Sequence, residues 1–449
     1  MQKFGSKKPG NILSAFKANL DDVLPDKFKS IKKEILHHCD ETKLQASWVR
    51  LIEAFEKEIS LIKEIGPAIV PQVEYSTIVE NNVKFPSTVA DEIRKRGCVV
   101  IRNVVDRDEA LKYKEMVKGY INNHKGKIVG FPEDNPQVWE IYWSKAQITA
   151  RSHPNFVAVT RALNNLWSAA PGSPIDFDNS VTYCDRLRIR QPGDTSFTLG
   201  EHMDGGSVER WEDPEYRKCY ENILMGNWEK HDAFDATHRL TANMDLYNCS
   251  GGCSMFRSFQ GWMSLSTTQP GGGTLRLCPL VKLSASYVML RPLLKDLLEE
   301  SSMGGAIPGV QQHILESFHP HIIRAMVSIP EVNPGDCVFW HCDSVHAVEG
   351  ICNSPTDSSV MYMPAAPLCV KNAECALKQR NAFEAGKSPP DFPKNDCEEF
   401  FEDRAMPNDL TKLGRLTMGF NKIEWDQNRC VHQGSEEAIK IANDILRLS

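Results

Sequence analysis

Residues 198–214, TLGEHMDGGSVERWEDP, set His202 and Asp204 one residue apart at the end of an extended-looking run and follow them with two glycines. In a strand, residues i and i+2 point to the same side, so this imidazole and this carboxylate share a face. Gly205 and Gly206 strip side chains from the adjoining backbone and let another group come close. An imidazole beside a carboxylate is two thirds of a facial triad, which grips Fe(II) on one side and leaves the opposite positions open. The third member must come from elsewhere. Residues 334–350, PGDCVFWHCDSVHAVEG, offer His341 and His346 on a strand launched by a Pro-Gly-Asp turn. A lone His-x-Asp is commonly a surface ion pair or a capped turn. Here the order of the surrounding elements gives it weight: strand, Pro-Gly-Asp, His-x-Asp, strand, Gly-rich turn, strand, Pro-Gly-Asp, strand, histidine.

Outward from the two segments, residues 174–366 read as short β-rich runs between Pro-Gly turns. VTYCDRLRIRQ (181–191) precedes PGD, CSMFRSFQGWMSLSTTQ (253–269) precedes PGGG, and TLRLCPLV (274–281) follows it. HIIRAMVSIPEVN (321–333) precedes the second PGD, and SSVMYMPAA (358–366) closes the series. Repeated strands with tight turns predict a sandwich or barrel, with helical insertions around 213–232 and 287–300. The first third is mainly helical. A loose arm over the first 25 residues leads into a helical stretch from Asp26 to about Gly66, then helices over 87–97, 106–124 (N-cap Asp106) and 153–170, with a strand at 98–105. Helix returns after Cys369. The pattern is an α+β chain: a central β-barrel wrapped by N- and C-terminal helices, with no internal repeat.

At 449 residues, with 41% hydrophobic and 25% charged residues, the chain can bury a large core. Its net charge of -7 argues against a nucleic-acid partner. Nothing approaches the roughly 20 apolar residues of a membrane span, and MQKFGSKKPGN lacks the apolar stretch of a secretory signal. The 14 cysteines form no Cys-x-x-Cys pair, which predicts reduced, mostly buried thiols in a cytoplasmic protein and argues against a zinc site.

The series 180–365 resembles the double-stranded β-helix (a jelly-roll, cupin-like barrel) of the Fe(II)/2-oxoglutarate-dependent oxygenases, nearest to the phytanoyl-CoA dioxygenase-like branch. YWSKAQITARSHP, LGEHMDGGSVERWEDP, FRSFQGWMSLS and SSVMYMPAAPL look like a largely uncharacterised family of presumed oxygenases in that superfamily. The resemblance implies an oxygenase unit over 85–420, an N-terminal arm and helical extension over 1–84, and a C-terminal helix within 421–449 packed on the core. It implies Fe(II) held by His202, Asp204 and His346, because the distal histidine of that branch follows the Pro-Gly-Asp aspartate by about ten residues. His341 then packs or supports, with Asp343 as a hydrogen-bond partner for either histidine; the reverse assignment stays open. It further implies 2-oxoglutarate as cosubstrate, O2 as oxidant, and a small molecule such as an amino acid or natural-product intermediate that is hydroxylated, desaturated or cyclised. Asp204 stands where halogenases of this fold lack a carboxylate, which disfavours halogenation.

One departure is plain. Many relatives place an arginine for the far carboxylate of 2-oxoglutarate about ten residues after the distal histidine, yet 346–364 contains no arginine or lysine. Arg257 is the first substitute, on a predicted barrel strand, and Arg276 the second, with Ser359 or Tyr362 adding a hydroxyl. Arg186, Arg188 and Arg190, spaced two apart, are the third, and read as an exposed edge paired with acids. Trp211, Trp228, Trp262 and Trp340 read as core or cleft wall, and 209–218 as a solvated helix start or a lid. Competing readings are a metal-dependent cupin isomerase or hydrolase that does not use 2-oxoglutarate, and an inactive binding module.

Overall fold

Eight short strands carry the core: β1 (Leu187–Arg190), β2 (Leu199–Met203), β3 (Phe259–Ser264), β4 (Leu275–Leu277), β5 (Val327–Ser328), β6 (Cys337–His341), β7 (His346–Val348) and β8 (Ser358–Tyr362). The computed structural model describes residues 23–249 and 252–448, so the arm expected over the first 25 residues falls almost wholly outside the described residues. β6, β3, β8 and β1 lie side by side in one sheet, while β2, β7, β4 and β5 form another. The chain thus changes sheet at almost every connection. The larger sheet has eight strands, gaining Gln72–Glu74 and Cys98–Arg102 beyond β6, and Val138–Trp139 and Gly130–Phe131 beyond β1. The smaller has five, with Gln312–His313 at the edge beside β2.

Period-two alternation sorts the side chains. Val338 and Trp340 of β6, Trp262 of β3 and Val360 of β8 pack in one cluster with Leu275 and Leu277 of the smaller sheet. Their sequence neighbours Cys337, Phe339, Met263 and Met361 instead join Leu187 and Ile189 under the helices Arg107–Asn123 and Pro154–Asn164. The larger sheet is therefore buried on both faces, which is why its strands read as nearly continuous apolar runs. The two sheets meet through side chains and loops. Their ladders have separate edges, so the expected barrel is two facing sheets rather than a closed hydrogen-bonded cylinder.

The helices follow local signals. Asp106 Oδ1 accepts the N–H groups of Asp108 and Glu109 at the start of Arg107–Asn123. The first helical stretch is two helices, Lys27–His37 and Glu41–Ile65, restarted by Asp40, whose side chain accepts from the Lys43 N–H. Val370–Ala385 and Ser435–Leu446 pack together at the C-terminal end. Two expectations change. In the run 321–333, Pro320 opens a short helix, Pro320–Arg324, and only Val327–Ser328 remains strand. The Arg186–Arg190 stretch is no exposed edge, because β1 runs between β8 and Val138–Trp139, with Arg188 and Arg190 buried. Among the described residues, no helix is long and apolar enough to cross a membrane.

At the centre of β3, Gly261 lies across from Phe339, and an added Cβ would overlap the Phe339 ring and come within 2.8 Å of the Val338 carbonyl oxygen. Gly261→Ala is expected to destabilise the fold by about 1–3 kcal/mol through overpacking. Urea unfolding checks this, and an unchanged midpoint would contradict the packing of these strands.

Candidate metal centre

The site begins with a register. β2 and β7 pair antiparallel with His202 directly opposite His346, and directly opposed residues project from the same face. The two imidazole centroids are 4.1 Å apart. The chain leaves β2 after Met203 and turns through Gly205 and Gly206, both at positive φ (78° and 88°), where an L side chain would be strained. This turn swings the Asp204 carboxylate against both rings: Oδ1 lies 3.6 Å from His202 Nε2, and Oδ2 lies 3.8 Å from His346 Nε2. The three ligand atoms lie within 4.8 Å of one another.

Backbone carbonyls set the tautomers. His202 Nδ1 lies 2.7 Å from the Gly200 carbonyl, and His346 Nδ1 lies 3.1 Å from that of Ser344. A carbonyl only accepts, so each Nδ1 carries the proton and each Nε2 turns its lone pair toward Asp204. Burial, with His202 beside it, pulls the His346 pKa down to about 3, so this imidazole is neutral at physiological pH. Burial alone would raise the Asp204 pKa. The neighbouring His346, His202 and Arg257, with the amide of Gln260, outweigh it and hold the carboxyl below its ordinary value.

The turn is braced from behind. Arg210 donates from Nη2 to the Asp204 carbonyl (2.5 Å) and from Nη1 to that of Gly206 (2.6 Å), while the Tyr216 hydroxyl donates to the Gly205 carbonyl (2.7 Å). Arg210, Trp211 and Tyr216 are buried. The stretch 209–218 is therefore only partly solvated: Pro214 and Lys218 are exposed, while Arg210 and Tyr216 point inward and hold the turn. Sequence reading missed Arg210, Tyr216 and Gln260. The only signal was an arginine among aromatics so soon after two glycines.

His341 is placed elsewhere. Its Nε2 donates to the Ala233 carbonyl (2.9 Å), its Nδ1 accepts the Asp343 N–H (3.0 Å), and its ring stacks on Trp167 at 4.7 Å. Although His341, Cys342 and Asp343 lie close enough together to hold a cation, both imidazole nitrogens are already used. The Asp343 carboxylate accepts from Arg239 Nη2 (2.5 Å) and from the Tyr220 hydroxyl (2.9 Å), and serves neither histidine.

Arg257 lies in the segment before β3 rather than on a strand, with Nη2 4.0 Å from Asp204 Oδ2 and its guanidinium 5.2 Å from the Tyr183 ring. Arg276 faces away. Its neighbour Leu277 is the ladder partner of His346, so Arg276 points to the other side of the sheet, where it bonds Glu201 at 2.9 Å. Ser359 likewise turns from the site and donates to Asp357 at 2.7 Å. The Trp340 ring is 5.2 Å from that of His346 and forms a wall of the site.

Residues 22–420 match the Gig2-like family. The chain belongs to that family. Among relatives of this Gig2-like protein, the uncharacterised YbiU of Escherichia coli K12 is 37% identical over 376 residues, covering 81% of this chain and 88% of YbiU. The crystal structure of the GlcNAc-inducible gene 2 product of Candida albicans is similar with a TM-score of 0.85 and 33% identity, over 95% of this chain and 96% of that one. The hypothetical protein JW0805 of Escherichia coli is similar with a TM-score of 0.79 and 34% identity, over 89% and 99%.

His346→Ala is expected to abolish Mn(II) binding in calorimetry. His341→Ala is expected to retain that binding and to lower the thermal unfolding midpoint, since it removes a buried, doubly hydrogen-bonded ring. Equal effects of the two substitutions on metal affinity would overturn the assignment.

Proposed function

We propose that this Gig2-like protein is a non-haem Fe(II)- and 2-oxoglutarate-dependent oxygenase acting on a C–H bond of a small molecule. The observation that carries the proposal is the closure of His202, Asp204 and His346 on one another across the β2–β7 ladder. The strand orders β6-β3-β8-β1 and β2-β7-β4-β5 support a double-stranded β-helix. The oxygenase unit is taken as 85–420, joined at its sheet edge by Gln72–Glu74 and backed by the helix Ser435–Leu446.

The donor set fits the metal. Two imidazoles whose protons sit on Nδ1 and one ionised carboxylate suit Fe(II), and the absence of thiolate from this triad disfavours a structural zinc. When bound, Fe(II) with 2-oxoglutarate and O2 supplies the oxidising power for C–H cleavage, with cosubstrate lost as succinate and CO2. The protein's share is positioning and exclusion of water. The carbonyls of Gly200 and Ser344 fix the imidazole planes, Arg210 and Tyr216 hold the backbone turn that carries the Asp204 carboxylate, and Trp340 shields one side of His346. Arg257 puts a positive charge beside Asp204, next to where an acidic ligand group would lie. Arg276, held by Glu201 on the other face, is out of reach.

Anaerobic addition of Fe(II) and 2-oxoglutarate is expected to raise the weak visible charge-transfer band of the chelate, and Asp204→Ala to abolish it. Admission of O2 should then release succinate. Metal binding without the band would favour a cupin enzyme that does not use 2-oxoglutarate. Failure to bind metal would favour a binding module.

A further inference from the structure

The stretch 346–364 carries no cation, and the strand beside it does. β8, which ends that stretch, pairs with β1, and Arg188 is the ladder partner of Val360. Leu187 and Ile189 pack on the helix side, so alternation turns Arg188 inward between the sheets. Its environment sets it apart from the arginines two residues away. Arg190 donates from Nε to Asp194 at 2.8 Å and to the carbonyls of Glu349 and Gly350. Arg186 is within 3.2 Å of Asp185 and 3.5 Å of Glu140. Arg188 is only 3% exposed, its Nε has no hydrogen-bond partner, and Nη2 reaches only the Ser358 hydroxyl at 3.4 Å. Among the described residues it has no carboxylate at ion-pair distance. Burial, with Arg190 nearby, pulls its pKa down against the opposing influence of Tyr362. A guanidinium so desolvated and uncompensated marks a site built for an anion.

Depth decides which anion. The Arg188 guanidinium is 5.8 Å from the Phe197 ring, and Phe197 packs with Leu199 and Val348, ladder partners on β2 and β7. Val348 follows His346 by two residues, about 7 Å along the strand, and a bulge sets Leu199 opposite it. The carbon skeleton of 2-oxoglutarate, with a coordination bond at one end and a hydrogen bond at the other, spans about 10 Å, long enough to reach from the histidines past this pair. Arg257, 4.0 Å from Asp204, is too near the chelating end for that task. Resting on the oxygenase reading above, we infer that Arg188 anchors the far carboxylate of 2-oxoglutarate, with the Ser358 hydroxyl and Tyr362 beside it. The cation is thus moved one strand over from β8, where Val360 faces the same space.

The test uses the Mn(II)-loaded full chain and two probes with the same chelating end: 2-oxoglutarate, and 2-oxobutyrate, which lacks the far carboxylate. Calorimetry of the unsubstituted protein should show strong preference for 2-oxoglutarate. Arg188→Met is expected to weaken 2-oxoglutarate binding by about 100-fold and leave 2-oxobutyrate unchanged, erasing the preference. Arg188→Lys should recover part of it, and Arg257→Met should retain it. The metal-free Arg188→Met protein should unfold at the same or a higher temperature, because an unpaired buried charge has gone. Preference surviving in Arg188→Met, or equal loss of both probes, overturns the inference while leaving the oxygenase reading intact. Failure of the unsubstituted, metal-loaded protein to bind either 2-oxo acid overturns both.

Discussion

The antiparallel register between β2 and β7 is the constraint on which the site depends. A slip of one residue would send either His202 or His346 to the opposite face of the smaller sheet. Features on both faces hold it. On the inner face, Leu277 of β4 lies opposite His346, which lies opposite His202. On the outer face, Arg276 reaches Glu201 from two strands away, and the small side chain of Ala347 is its partner on the strand between. Arg276 thus helps to keep His202 and His346 aligned.

A second constraint is the handling of buried positive charge. Arg239 meets Asp343, Arg190 meets Asp194, and Arg210 donates from Nη1 and Nη2 to backbone carbonyls with Asp343 4.0 Å away. Asp343 sits between β6 and β7, one residue before Ser344, whose carbonyl bonds His346 Nδ1, and Arg210 links it to the Asp204 turn. The two halves of the ligand set are therefore tied through one buried ionic group, in a region where an unpaired charge would be costly. Against that background Arg188 differs in having, among the described residues, no carboxylate at ion-pair distance and only the Ser358 hydroxyl as a hydrogen-bond partner.

Much of the architecture was legible because it rests on local physics. Asp106 before an amphipathic run, Pro-Gly-Asp before CVFWH, and strand-length apolar stretches between turns specify elements over a few residues. The run 321–333 misled because its apolar residues suit either period, and only the proline at its start tips it into helix. The arginine triplet misled for another reason. Alternating charge and aliphatic residues read as a half-exposed strand, and nothing local reveals that both faces of β1 are covered.

Alone, the amino-acid sequence determined the α+β class, the nearness of His202 to Asp204 at a glycine turn, and the stock of distant histidines, since strand periodicity and turn chemistry act over a handful of residues. Tertiary structure alone decided which histidine stands across from His202, which arginines point between the sheets, and that Arg210 braces the turn. Those outcomes depend on ladder register and on which faces become buried. Both are properties of chain segments far apart in sequence, and they arise only when the two sheets come together.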